Sequence, residues 1–76
     1  MAEFDESLDA TGLNCPLPIL KAKKTLANMN TGEVLYVTAT DPGSVKDFES
    51  FSQQTGHELL EQREEDGTYH FRLKRA

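Results

Sequence analysis

The chain has 76 residues, enough for one hydrophobic core and therefore one domain spanning 1–76. With 37% hydrophobic and 28% charged residues it reads as an ordinary globule, neither disordered nor membrane-embedded. Thirteen acids against eight bases give a net charge of −5, the wrong sign for the basic footprint that a strong nucleic-acid grip needs.

Residues 4–10 alternate weakly, with Phe4, Leu8 and Ala10 on one side, which predicts a short strand. Thr11-Gly12-Leu13-Asn14 reads as a turn. Residues 16–29 repeat Ile19, Ala22, Leu26 and Met29 at helical spacing, with Leu20 and Ala27 on the shoulder of that stripe and Lys21, Lys24 and Asn28 opposite. Asn30-Thr31-Gly32 ends the helix. Residues 33–40 are β-branched, aromatic and apolar on both parities, the pattern of an interior strand. Asp41-Pro42 predicts a helix start, Asp41 as N-cap and Pro42 at the first helical position. Val45, Phe48, Phe51 and Ser52 mark that helix's inner face, and Gly56 closes it.

The last two strands, 57–64 and 68–75, flank Asp66-Gly67, a strong two-residue hairpin signal. Centred there, the register sets Leu60 against Leu73 and Gln62 against Phe71 on one side, and Glu61 against Arg72 and Arg63 against His70 on the other. The predicted order is βαβαββ. It implies an α/β two-layer sandwich, with a four-stranded mixed sheet, two helices on its apolar face and a right-handed first crossover.

Chemistry concentrates in Leu8-Asp9-Ala10-Thr11-Gly12-Leu13-Asn14-Cys15-Pro16-Leu17-Pro18. Cys15 is the only cysteine, which excludes an intramolecular disulfide and a thiolate metal cage and fits a reducing compartment. The spacing puts Cys15 at the N-cap of the first helix and Pro16 at its first position. Prolines 16 and 18 remove two N–H groups from a helix end that leaves four without partners. The remaining donors, of Leu17 and Ile19, should lie near the sulfur. A helix N-terminus favours an anion, so a lowered thiol pKa is expected for Cys15. A lone cysteine is otherwise commonly a small buried hydrophobe. A Pro-x-Pro helix start favours an exposed, rigid tip instead.

The run Leu8-Asp9-x-x-Gly12-Leu13-x-Cys15-Pro16-x-Pro18 resembles the Cys-Pro-x-Pro signature of the TusA (SirA-like) sulfur-carrier family. Asp41-Pro42 and Gly56-His57-Glu58-Leu59 match that family too, and the likeness extends from about Leu8 to Arg75. The resemblance implies the same βαβαββ fold. It also implies that Cys15 accepts sulfane sulfur as a persulfide and relays it, with no separate cofactor and no turnover of a small substrate. Family donors are cysteine desulfurases or rhodanese-like proteins, and acceptors serve tRNA thiolation or dissimilatory sulfur oxidation. Asn14 stands where relatives often carry a base, and Leu17 where an acid is common.

By the same likeness Asp9 and Gly12 shape the turn that presents Cys15, and Asp41 borders a docking surface. Lys23 lies beside the core stripe, where it either faces a partner or snorkels to water. Lys21 and Lys24 read as a solvated face. His57 and His70 fall too far apart on the hairpin, ~20 Å at ~3.4 Å per residue, to share a metal. No 18-residue apolar run could span a membrane. The acidic start Met-Ala-Glu-Phe-Asp-Glu lacks a leader pattern, so a cytoplasmic location is expected. A non-catalytic binding module and a thiol redox sensor using the same tip remain open on the residues alone.

Overall fold

The alternation of β-branched and aromatic residues in the middle of the chain builds the strand around which everything else is arranged. A computed structural model describes residues 4–76 and gives β1 (Glu6–Ala10), α1 (Leu17–Ala27), β2 (Val34–Ala39), α2 (Ser44–Thr55), β3 (Glu58–Glu65) and β4 (Thr68–Lys74). The first three residues of the acidic start lie outside the described residues. The sheet order is β1-β2-β4-β3, with β1 and β2 parallel and the other pairs antiparallel. β2 is interior, as its composition predicts. Its burial nevertheless alternates: Leu35, Val37 and Ala39 are buried, while Val34, Tyr36 and Thr38 lie half-buried on the other face.

One core joins those residues to Ala10, Phe71 and Leu73 of the sheet, to Ala22, Leu26 and Met29 of the first helical segment, and to Phe48 and Phe51 of α2. Both helices therefore cover the same face, giving the expected two-layer sandwich. Phe48 and Phe71 stack with ring centroids 4.5 Å apart across the helix–sheet boundary. Each fully buried large side chain contributes about 1.5–3 kcal/mol, so these few residues supply much of the driving force in so short a chain.

Several boundaries move, each for a local reason. β1 begins at Glu6 because Asp5 pairs with Val34 differently: its N–H donates to the Val34 carbonyl at 2.8 Å, and its carboxylate accepts the Val34 N–H at 2.8 Å. Phe4 is thereby turned away from Leu8 and Ala10 and rests edge-on against Tyr36, 48% exposed. α1 stops at Ala27, where the Asn28 and Met29 N–H groups tighten onto the Thr25 and Leu26 carbonyls at 3.1 Å. Leu20 and Ala27, expected on the shoulder of the stripe, are exposed.

Gly56 ends α2 in the left-handed conformation, φ 83°, with its N–H on the Ser52 carbonyl at 3.0 Å. The hairpin turns at Asp66 and Gly67, both at positive φ, as a primed turn requires. The register holds from Glu65–Thr68 to Glu61–Arg72 and then slips by one residue, so Leu59, not Leu60, opposes Leu73. A bulge at Leu60 turns that side chain outward and brings Leu59 onto the core. Without the slip, Leu59 would point to the charged face, where Arg72 Nε donates to Glu61 at 2.7 Å.

Candidate functional site

The functional candidates gather where the β1–α1 loop meets the β2–α2 loop. Parallel pairing of Ala10 with Ala39 brings the two strand ends level. The loops that follow must then run side by side. Asp9 closes the first turn by accepting the Thr11 N–H at 3.0 Å and the Thr11 hydroxyl at 2.6 Å. Those bonds, the hydroxyl first, hold the Asp9 carboxyl below its ordinary value. Gly12 takes φ 79°, and its N–H donates to Thr40 Oγ1 at 2.9 Å, stitching one loop to the other.

Cys15 is free and exposed. It does not cap α1. Pro16 is the N-cap and Leu17 the first helical residue, so Cys15 stands one position further out and Pro18 moves to the second turn position. The cause is a tight turn from Asn14 to Leu17, closed by the Leu17 N–H on the Asn14 carbonyl at 2.8 Å. That bond uses the Leu17 donor, which therefore does not serve the sulfur. The Cys15–Pro16 peptide is cis. Pro18 is buried under the helix start, while Leu17 and Leu20 project at 46% and 51% exposure.

The second loop supplies carboxylates. Asp41 does not cap α2; Gly43 occupies the N-cap and the helix begins at Ser44. The Pro42-Gly43 step is a turn closed by the Asp41 carbonyl, which accepts the Ser44 N–H at 3.0 Å and the Ser44 hydroxyl at 2.6 Å. The freed Asp41 side chain accepts the Gly43 N–H through Oδ1 at 3.2 Å and the Cys15 N–H through Oδ2. One turn into α2, Asp47 Oδ2 accepts a hydrogen bond from the Cys15 thiol.

This arrangement reverses the expected electrostatics. The thiol of Cys15 is pushed up, not down: the hydrogen bond to Asp47 favours the protonated form, desolvation adds to it, and the Asp47 and Asp41 charges repel a thiolate. A helix start attracts an anion only weakly at an exposed position, and here two carboxylates stand closer.

Lys23 is exposed on α1 and lines, with Ile19, Leu20, Asp47, Phe51 and Gln54, a groove of about 230 Å³ between the helices. The structure thus gathers Asp9, Gly12, Cys15, Pro16, Leu17, Pro18 and Asp41 around the two adjoining loops, with Lys23 further along α1 in the groove that Asp47 also lines. It adds Thr40, Gly43 and Asp47, which the sequence reading passed over. An acid in a first helical turn ordinarily complements the helix dipole. Only knowing that the two loops touch would single out Asp47. The histidines are occupied separately, His57 Nδ1 accepting the Ala76 N–H at 2.9 Å and His70 Nδ1 bonded to the Tyr36 hydroxyl at 2.7 Å. Among the described residues no helix is long and apolar enough to cross a membrane.

Comparison with known proteins gives the family and the fold. The family model described as "Sulfurtransferase TusA" matches residues 6–75. The chain is 64% identical to the sulfur carrier protein TusA of Allochromatium vinosum across the full length of both. It is 45% identical to the protein of that name from Pseudomonas putida, covering 99% of this chain and 96% of the relative. The crystal structure of a SirA-like protein from Desulfitobacterium hafniense superposes with a TM-score of 0.82 at 28% identity, over 92% of this chain and 96% of that one. With the βαβαββ fold, an exposed thiol ahead of a proline-rich helix start and a match over nearly every residue, the chain belongs to the TusA sulfurtransferase family.

Proposed function

We propose that this sulfur carrier bears its cargo on Cys15 as a persulfide. The Sγ atom attacks the outer sulfur of a donor persulfide. A bond forms between Sγ and that sulfur, the donor's own S–S bond breaks, and the donor departs as a thiolate that takes up the Cys15 proton. Delivery is the mirror step: an acceptor thiolate attacks the carried sulfur and Cys15 leaves as the thiolate. The sulfane sulfur changes hands without net oxidation or reduction, in the manner of thiol–disulfide exchange.

The observation that supports this reading is the placement of the thiol. It is exposed, it is the only sulfur nucleophile of the chain, and its backbone is fixed by the Asp41 carboxylate ahead of Pro16. Leu17 and Leu20 offer apolar surface beside it. The donors to which the family likeness points are a cysteine desulfurase or a rhodanese-like protein. The acceptors are relay proteins of tRNA thiolation or of sulfur oxidation in the cytoplasm. Asp9, Gly12, Pro16 and Pro18 shape the tip, while Leu17, Lys23 and Asp41 meet the partner.

Intact-mass measurement after incubation with a desulfurase and cysteine tests the reading. A gain of about 32 Da, one sulfur atom, removable by a thiol reductant, is expected on the parent chain and absent from Cys15→Ser. The variant should stay folded, since the substituted side chain is exposed. A parent chain that gains no sulfur, or a Cys15→Ser chain that gains it equally, would overturn the assignment.

A further inference from the structure

The contact between Cys15 and α2 has no role in the exchange chemistry itself, and it opposes the ionisation that chemistry needs. Asp47 Oδ2 accepts the thiol hydrogen bond. The backbone that carries this carboxylate is fixed: the Asp47 N–H donates to the Gly43 carbonyl at 3.2 Å, the next residue, Phe48, is wholly buried, and Ser44 one turn back is buried and tied to Asp41. On the other side the Cys15 backbone is tied to Asp41, and a Cβ at Gly43 would sit 3.5 Å from Cys15 Cβ. The thiol and its acceptor are thus mounted on two elements that pack directly.

The charges facing the sulfur are Asp47 from α2 and Asp41 from the β2–α2 loop. Lys23 of α1 lines the same groove as Asp47, and the exposed Lys46 directly precedes Asp47 on α2. Among the described residues no Lys, Arg or His side chain forms an ion pair with either carboxylate. Two carboxylates without an ion-pair partner among the described residues, beside an exposed nucleophile and the exposed Leu17 and Leu20, are complementary to a cationic group framed by apolar surface.

We propose that Asp47 is a latch on the Cys15 proton, opened when a partner places a cationic side chain against its carboxylate. Free in solution, the carrier keeps its thiol protonated and slow to react with stray electrophiles. When a lysine or arginine of a docked partner pairs with Asp47, the acceptor of the thiol hydrogen bond is diverted and the repulsion of a thiolate falls. The S–H bond then breaks, its proton passing to water or to the departing thiolate, and Sγ attacks. The identity of the partner as a sulfur donor or acceptor rests on the carrier function above; the latch on the free thiol does not.

Two measurements test it. The first is the pH profile of alkylation by iodoacetamide. Asp47→Asn should move the midpoint to lower pH and Asp47→Glu should keep it high, while Glu49→Gln, on the exposed surface of α2, should leave it in place. The second is disulfide exchange with small probes of equal reach, cationic cystamine and neutral hydroxyethyl disulfide. Sγ forms a bond to one probe sulfur and the other half leaves as a thiolate.

After correction for the probes' own reactivity with free cysteine, the parent should prefer cystamine by about fivefold. This is the effect of one opposite charge at ~4 Å in a water-like dielectric. The preference should fade as salt shortens the screening length from ~30 Å at ~0.01 M to ~3 Å at ~1 M. It should be lost in Asp47→Asn. A parent with no cationic preference at low salt overturns the proposal without any variant. So does a folded Asp47→Asn whose alkylation midpoint equals the parent's. Sulfur loading is read independently by mass: a chain that loads but shows an unchanged profile loses the latch alone, and one that shows the shift but never loads loses the carrier assignment alone.

Discussion

Replacing Phe48 by alanine probes the link between core and site most directly. Phe48 is fully buried and stacked on Phe71 with ring centroids 4.5 Å apart, and it immediately follows Asp47. Truncating a buried phenylalanine costs about 3–5 kcal/mol, from lost transfer energy and the cavity left behind. A chain of 76 residues has a total stability of about 4–11 kcal/mol at the usual ~0.05–0.15 kcal/mol per residue. The substitution therefore removes a large share of what holds the domain together. Domains of this size lose about 4–8 °C of melting temperature per kcal/mol, so a drop of roughly 12–40 °C is expected. Urea titration followed by far-UV circular dichroism is the assay, with thermal melts as the check. A loss below about 1 kcal/mol, the size typical of surface changes, would refute the reasoning. It would mean that α2 is not anchored through this ring, and the position of Asp47 against the thiol would fall with it.

Two glycines should behave oppositely. Gly56→Ala places a side chain at φ 83° and should cost about 1–2 kcal/mol by urea titration. Gly43→Ala sits at φ −66° with its nearest contacts at 3.5–3.7 Å; it should be neutral, or stabilise by ~0.4–1 kcal/mol through the unfolded chain. His57 is held below its ordinary value of 6.5 by burial, with the charge of Arg75 adding to it. The unfolded chain therefore takes up that proton first, so stability is full above about pH 7 and declines as pH falls through 6.5 towards the lower folded value. The urea midpoint should drop between about pH 7.5 and pH 5.5, and His57→Asn should remove most of that slope. An unchanged slope in the variant would show that the His57 imidazole is not the group that titrates.

The architecture was legible because local signals agree. Apolar positions recur at period 3.6 in residues 19–29 and at period two in the strands, and Asp66-Gly67 sets the hairpin. Each feature depends on neighbours in the chain, which is why the element order and the thiol's exposure could be read directly. What could not be read depends on contacts across the fold. The Leu60 bulge balances Leu59 packing against the Glu61–Arg72 pair. The turns that shift the caps of α1 and α2 leave the Asp41 side chain free to meet the Cys15 N–H, some 26 residues away in sequence. The polarity of the site was misjudged for the same reason. A helix N-terminus is visible in a sequence, whereas a carboxylate brought from 32 residues away is not.

The displaced register of the last hairpin also bears on how the molecule behaves in a crowd. β3 is an outer strand of the sheet and could in principle accept a strand from another chain. Its sequence from Glu58 to Glu65 carries four glutamates and an arginine, and the extra residue at Leu60 breaks the straight row of amide groups along that rim. A shuttle that must meet one protein after another, and release each, is served by a margin on which foreign backbone finds no regular ladder to join.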